Sequence, residues 1–451
     1  MGIELFYWFF VSLSFFYIFY KNYYSLINVL IILCFYSGLA SFLGKGFENP
    51  YKVLLVLYSL YVFIRYNGLS KPTRSERFLI FIFILFSLSF IYSAILNGDY
   101  FTLVFSQYGK FITPICLFFI FNRITIKNPL KIDGIKKLLI SLLTIQIILS
   151  LTKVLTIGLR ESTVGSLTWG GGGPAAVLPV LGFILFWLHK QGSFKIKDWI
   201  YIFLLLFIGF ASLKRAIWFI MPAIIFLFMN YVPKRVKLIN LISFLPLLPI
   251  IFYMGVRLNS SLNKEGIIGG SFDMDYVISY AKEYSFGDSE ESPDIEVAQG
   301  RGGATILIWE KLADIQSLSE NDFWGFGLQE YYTVDYAAFD EEKFGVSGKG
   351  DVTGVFQSYI STGFVGIFFS LLFIFSILAC IKVPRIRVAI ALFMFWDYFF
   401  YSGLILRVQA LSILLFFIIT YVNIQYDENK KNKYIGSNTQ DDSLKLISNK
   451  T

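Results

Sequence analysis

Arg301 stands in Gln299-Gly300-Arg301-Gly302-Gly303, ahead of an amphipathic stretch. Glycines allow close backbone approach. Free amides at a helix start favour anions, and arginine adds bidentate geometry that lysine lacks. Together these are the parts of a phosphate clamp. Lys214 and Arg215 form a second cationic pair, in the short turn Ser212-Leu213-Lys214-Arg215-Ala216 between two apolar runs. The pair fits an anionic ligand, or the phosphate of a lipid. Trp169, followed by Gly170 to Gly173 and Pro174, reads as a hinge, a sugar-contacting turn or a plain loop before a helix. Asp351 closes a long polar segment just before an apolar run; it is placed for general-base work or for solvation in a loop. Lys110, Lys153, Asp397 and Arg407 lie within or beside apolar runs, where charge is costly. Asp397 and Arg407 flank one turn and are expected to pair; ion pairing or snorkelling accounts for all four. With His189 the only histidine, a histidine metal site is excluded, and no cofactor is expected. Cys34, Cys116 and Cys380 all fall in apolar runs, so they read as small core residues without disulfides.

The elements that position these residues are membrane spans. Hydrophobic residues make up 56% of the 451, charged residues only 16%, and mean hydropathy is +0.64; soluble domains carry about 25% charge. Apolar runs of about 18 residues cross a hydrocarbon core about 30 Å thick. Helices satisfy their own backbone there, and the runs do not alternate as barrel strands would. The expected fold is an all-α polytopic integral membrane protein of about 12–14 transmembrane helices. Thirteen runs qualify: 3–20, 24–43, 51–67, 78–97, 101–121, 136–157, 174–189, 198–213, 215–232, 237–255, 354–381, 386–403 and 405–424. Residues 1–255 form a bundle of about ten spans, 256–353 one large loop, 354–424 three more spans and 425–451 a polar tail.

Basic residues cluster in alternate connections: Lys71 to Arg77, Arg123 to Lys137, Lys190 to Lys197, Lys234 to Lys237, Lys382 to Arg387 and the tail. The positive-inside rule makes these cytoplasmic. The N-terminus and the segment from Arg257 to Thr353 are then outside, and the setting is a bacterial inner membrane. The first run starts at once with no basic region, so no cleavable leader is expected. The large loop holds 19 Asp/Glu against 7 Lys/Arg, a net of −12, while the rest of the chain carries 32 basic and 12 acidic residues, a net of +20. The overall +8 therefore carries no nucleic-acid signal. Within the loop, Ile308, Leu312 and Ile315 predict an amphipathic helix over 301–318, and the acidic stretch 283–299 is expected to be disordered.

Several of these features together resemble the O-antigen polymerase and O-antigen ligase superfamily. They are the turn Ser212 to Ala216; the large loop before the last three spans; Arg301, then Trp309, then Trp324-Gly325-Phe326-Gly327-Leu328; and a closing segment from Asp351 to Gly366 with Gly363 and Gly366 in G-x-x-G spacing. The resemblance covers mainly residues 160–370. Ligases carry a histidine in the closing segment, where Val352 stands here beside Asp351; this favours the polymerase.

The resemblance implies a metal-independent glycosyltransferase of GT-C class that joins undecaprenyl-diphosphate-linked oligosaccharide repeat units at the outer face of the membrane. Its partners would be that lipid-linked substrate, the bilayer and a chain-length regulator protein. Arg215 and Arg301 would stabilise the leaving diphosphate, aided by Lys214 and Arg160. Asp351, or second Glu161, would act as base, and Trp324, Tyr331 and Tyr332 would face sugar rings. An O-antigen ligase, a lipid-linked oligosaccharide flippase and a non-catalytic scaffold are the alternatives. A flippase would show related halves, of which there is no trace.

Overall fold

A computed structural model of the chain describes residues 2–21, 25–127, 129–160, 162–167, 173–190, 194–212, 247–259, 262–286, 300–332, 340–346 and 352–448. The expected span 215–232 and most of 237–255 lie outside these residues. The helices in chain order are α1 (Gly2–Tyr20), α2 (Leu26–Phe35), α3 (Ser37–Phe42), α4 (Lys45–Arg65), α5 (Arg74–Leu96), α6 (Phe101–Lys127), α7 (Pro129–Ile157), α8 (Pro174–Lys190), α9 (Ile196–Ala211) and α10 (Leu247–Leu258). Within the large loop come α11 (Met274–Phe286), α12 (Gly300–Ala313), α13 (Glu320–Trp324), α14 (Leu328–Tyr332) and α15 (Glu341–Phe344). The chain ends with α16 (Gly354–Ala379), α17 (Pro384–Phe399), α18 (Leu404–Arg407) and α19 (Gln409–Ser448). No β-strand occurs among the described residues.

The chain is an all-α polytopic membrane protein. Five helices, α5, α6, α7, α16 and α19, are long and apolar enough to cross a bilayer. On α5, Phe81, Ile84, Leu88, Ile91 and Ile95 form an exposed stripe at helical spacing. Leu79, Ile82, Phe86 and Phe90 on the other face are buried. Such a stripe is a liability in water and is matched by lipid. Helix α8 is buried along Pro174–Leu188, and α19 is buried on most of its apolar length, so these two are central. At one end of the bundle a capping box starts α5: Thr73 accepts from the Glu76 amide at 3.2 Å, and Glu76 also holds Arg123 of α6 at 2.9 Å.

Some expected spans are interrupted. The run 24–43 is two helices broken at Tyr36, of 10 and 6 residues, each too short to cross alone. The break is satisfied from elsewhere: the Gly38 amide donates to the Ser166 carbonyl at 3.0 Å and the Ser37 hydroxyl to Leu167 at 3.1 Å. Helices α9 and α17 have 16 residues each, and the last expected span begins at Gln409 rather than 405 because α18 is a separate single turn. In the loop, the predicted helix 301–318 ends at Ala313, with a 3₁₀ turn at Ile315–Ser317. Its apolar residues divide: Ala304 and Ile308 point inward, while Ile306, Trp309 and Leu312 remain exposed. Of the stretch expected to be disordered, residues 283–286 close α11 and 287–299 lie outside the described residues.

Helix α16 is broken within its length. Gly363 has φ +65°, which splits it into a buried half, 354–362, and a longer half, 364–379. A break frees carbonyls that the next turn would have bonded, and in a bilayer each must find a donor. Here the Phe326 amide donates to Ile360 at 2.7 Å and the Ser93 hydroxyl to Ser361 at 2.9 Å. The loop therefore completes the span. Its Gly325 and Gly327 have φ +86° and +100°. A Cβ on Gly325 would lie 2.5 Å from the Thr362 amide, and one on Gly363 would lie 2.2 Å from the Phe323 carbonyl oxygen. The two backbones thus meet where neither side tolerates a side chain.

The connector after α5 supplies further ties. Asn97 donates to the Gly325 carbonyl at 3.2 Å, and Asp99 accepts from the Leu328 and Gln329 amides at 2.8 and 3.0 Å, capping α14. Asp322 is buried beneath the loop. It accepts from Lys311 at 3.5 Å, from the Ser319 amide at 2.8 Å and from the hydroxyls of Ser319 and Tyr359. Burial raises its pKa, but these donors outweigh burial and hold the carboxyl below its ordinary value of 3.8.

Gly363→Ala should destabilise the folded protein by about 2–4 kcal/mol, through strain at positive φ and overpacking. Gly266→Ala, at φ +67° with open space around it, should cost about 1 kcal/mol. Thermal unfolding in nanodiscs compares the two. A depressed carboxyl stabilises fully above its unfolded value and loses that contribution as pH falls through the folded value. Resistance of the loop to proteolysis should therefore be flat above about pH 5 and decline below about pH 4. In Asp322→Asn it should be lower at neutral pH, with a shallower acid decline.

Candidate functional site

At the loop end of the bundle, the first half of α16 leads into a cavity whose wall is mostly apolar, with Phe86, Phe90, Phe111, Phe373 and Met394 among its members, and which also carries a set of polar groups. Helices α5, α6, α14, α16, α17 and α18 all contribute to its wall. Its charged members are Lys110, Asp397 and Arg407, joined by Gln107, Tyr332, Tyr398, Ser358, Ser361 and Thr362. The room inside is narrow, about 50 Å³ for water-sized groups.

Each side chain has a local reason for its place. Gly354 and the turn after α17 are bonded, with the Gly354 amide donating to the Tyr401 carbonyl at 2.9 Å. Asp397, only 2% exposed, accepts from the Ile405 amide at 2.7 Å and so caps α18. Arg407, in the last turn of α18, donates to the Ser402 carbonyl at 3.2 Å and the Gly354 carbonyl at 3.3 Å. The ion pair expected between Asp397 and Arg407 is not formed. The carboxylate is taken by the helix start and the guanidinium by carbonyls, although Asp397 remains within electrostatic reach of both Arg407 and Arg301. Lys110 donates to Gln107 at 2.6 Å and lies 5.2 Å from the centre of the Tyr332 ring. Tyr332 in turn accepts from Gln357 at 2.7 Å.

Arg301 joins this group from the loop. It stacks on the Tyr401 ring at 4.9 Å, a cation–π contact that holds the guanidinium in place. Its helix is fastened by Thr305, which donates to the Phe399 carbonyl at 2.9 Å and lies 3.4 Å from Thr353. Tyr401 also donates to Gly173, the last of the glycine run, at 3.3 Å. Farther along α12, an apolar groove is lined by Trp309, Leu312, Phe323, Phe364, Phe368 and Phe399. One helix therefore carries a cation at its start and borders a groove suited to a hydrocarbon chain farther on.

The other candidates are distributed differently. Arg160 is exposed, in a turn whose Thr163 hydroxyl meets that of Ser212 at 3.1 Å. Lys153 lies beneath that turn, donating to the Ser162 carbonyl at 2.8 Å. Lys214, Arg215, Glu161, Asp351 and Trp169 lie outside the described residues. Trp324 packs edge-on against Tyr92 of α5 at 4.4 Å, Tyr331 packs edge-on against Tyr332 at 5.1 Å, and Tyr332 alone of the three lines the cavity. Gln107, Ser358, Ser361 and Tyr398 are cavity residues that sequence reasoning passed over. For Ser358 and Ser361 the signal was the polar group Gln357-Ser358 and Ser361-Thr362 inside an apolar run. Compared with protein-family models, curated proteins and solved structures, the chain matches none.

Thr305→Val keeps volume but removes the hydroxyl that ties α12 to α17. It should lower stability by about 1 kcal/mol and increase protease cleavage between α11 and α12, measured in nanodiscs on the full chain.

Proposed function

We propose that this protein joins undecaprenyl-diphosphate-linked oligosaccharide repeat units into a surface polysaccharide, by metal-independent glycosyl transfer at the outer face of a bacterial inner membrane. The observation that carries this reading is the junction of a cationic group with an apolar groove along α12. Arg301 stacks on Tyr401 while Arg407 holds the neighbouring Ser402 and Gly354 carbonyls, and the groove lined by Trp309, Leu312, Phe323 and Phe368 borders the helix that carries Arg301. An anionic head with a long hydrocarbon tail matches both. The positive-inside pattern puts this end outside, where lipid-linked repeat units are presented.

In this reading the diphosphate of the donor lies against Arg301 and Arg407, with the polyprenyl chain in the groove. As the anomeric C–O bond breaks, negative charge grows on the diphosphate oxygen. Fixed guanidinium groups in a water-poor site stabilise that charge without reorganising. Arg215 keeps the role that the family resemblance implies for it, diphosphate stabilisation.

The test is a surface-polysaccharide gel from a strain lacking the gene, complemented with wild type, Arg301→Ala or Arg407→Ala at matched membrane abundance. The expected result is a ladder with wild type and only single attached repeat units with no complement. Each variant should lower chain elongation about a hundredfold. Unchanged ladders with both variants would remove the cationic clamp. Accumulation of long lipid-linked chains with no attached unit would assign a ligase instead.

A further inference from the structure

Three buried polar atoms on residues that line the cavity have no hydrogen-bond partner among the described residues. They are Oδ1 of Asp397, the Ser361 hydroxyl and the Tyr398 hydroxyl. The Tyr398 hydroxyl lies near those of Ser358 and Ser370, yet none of these contacts reaches bonding geometry. Capping α18 needs only one carboxylate oxygen, and Oδ2 does that work. A buried acceptor left unpaired is destabilising, more so when charged. A fold that keeps one in a cavity, with a tyrosine hydroxyl beside it, is arranged for a hydroxylic guest: the carboxylate accepts its proton and the tyrosine donates to its oxygen. The cavity extends to the loop end, where Tyr332, Gly403 and Arg407 line it.

We propose that Asp397 is the general base of the transfer, receiving the proton of one acceptor-sugar hydroxyl that enters this cavity. The inference rests on the polymerase reading above. In the step, the acceptor oxygen forms a bond to the anomeric carbon of the donor, and the bond from that carbon to the diphosphate oxygen breaks. The bonding pair leaves with the diphosphate, and the acceptor proton moves to Oδ1 of Asp397. The protonated carboxyl then returns its proton to the leaving diphosphate or to water. Arg301 and Arg407 face the leaving group. Tyr398 and Ser361 orient the hydroxyl as positioning residues. The base falls to Asp397 rather than to Asp351.

The experiment uses the full-length protein in phosphatidylethanolamine–phosphatidylglycerol vesicles. The substrate is the undecaprenyl-diphosphate-linked repeat unit purified from the deletion strain. Asp397→Asn keeps the shape and an acceptor for the Ile405 amide. It should lower turnover at least a hundredfold, leave KM and undecaprenyl diphosphate binding within about threefold and keep the thermal midpoint of wild type. Asp397→Glu should restore part of the turnover. If Asp397→Asn fails to assemble, Tyr398→Phe and Ser361→Ala take its place, each expected to lower turnover at least fivefold at unchanged diphosphate binding. Wild-type turnover in Asp397→Asn, or a loss matched by lost binding and a lowered thermal midpoint, overturns the assignment. So does wild-type turnover in both substitutes, or full activity in Asp397→Asn alongside an inactive Asp351→Asn. If wild type joins no units, the polymerase reading itself falls, a result distinct from all of these.

Discussion

The structure depends on one backbone contact, the approach of Gly325 to the break at Gly363. A helix interrupted inside a membrane must have its freed carbonyls bonded by other parts of the protein. Here the Phe326 amide and the Ser93 hydroxyl supply those bonds. The Phe326 amide is in place because a turn at positive φ presses against a kink at positive φ, with no Cβ on either side, while Ser93 reaches the break from α5. The broken span and the docked loop are therefore one unit. Separating them exposes unpaired backbone groups on both, and each such group costs about 1–3 kcal/mol.

The same break shapes the cavity. By ending the first half of α16 at Thr362, it leaves Ser358, Ser361 and Thr362 as a polar surface among apolar helices. It also lets α14 come down on that surface, so that Tyr332 reaches Lys110 on α6. A continuous apolar helix would bring lipid-like packing to this place. The interruption instead admits polar groups, and charges of both signs gather there without pairing directly.

That lack of pairing is informative. A buried carboxylate and a nearby guanidinium would ordinarily close into an ion pair to offset desolvation. Asp397 and Arg407 are each held by backbone groups instead. Backbone groups fix both side chains in position. The stacking of Arg301 on Tyr401 does the same for the cation contributed by the loop.

Much of the architecture was legible in the sequence, because crossing a bilayer depends on the length and hydropathy of a local segment. The apolar runs gave the helical class, and α5, α6, α7, α16 and α19 fall where such runs lie. The helix around Arg301 and the glycines at 325, 327 and 363 also stood out locally. The interruptions were less legible. The break at Tyr36 and the single turn of α18 are marked only by a few small or polar residues, Ser37 and Gly38 or Ser402, Gly403 and Arg407, and what permits them is a set of bonds to distant residues. The cavity was hidden for the same reason. Lys110, Tyr332, Ser361 and Asp397 are far apart in the chain, and each alone reads as a tolerated polar residue in a helix or loop. By itself the sequence determined that this chain crosses a membrane and where its charges lie, because burial in lipid is decided segment by segment. Tertiary structure alone decided which of those charges share one cavity and that Asp397 keeps an oxygen free within it. That outcome depends on the packing of several helices around a single broken one, and no local pattern encodes it.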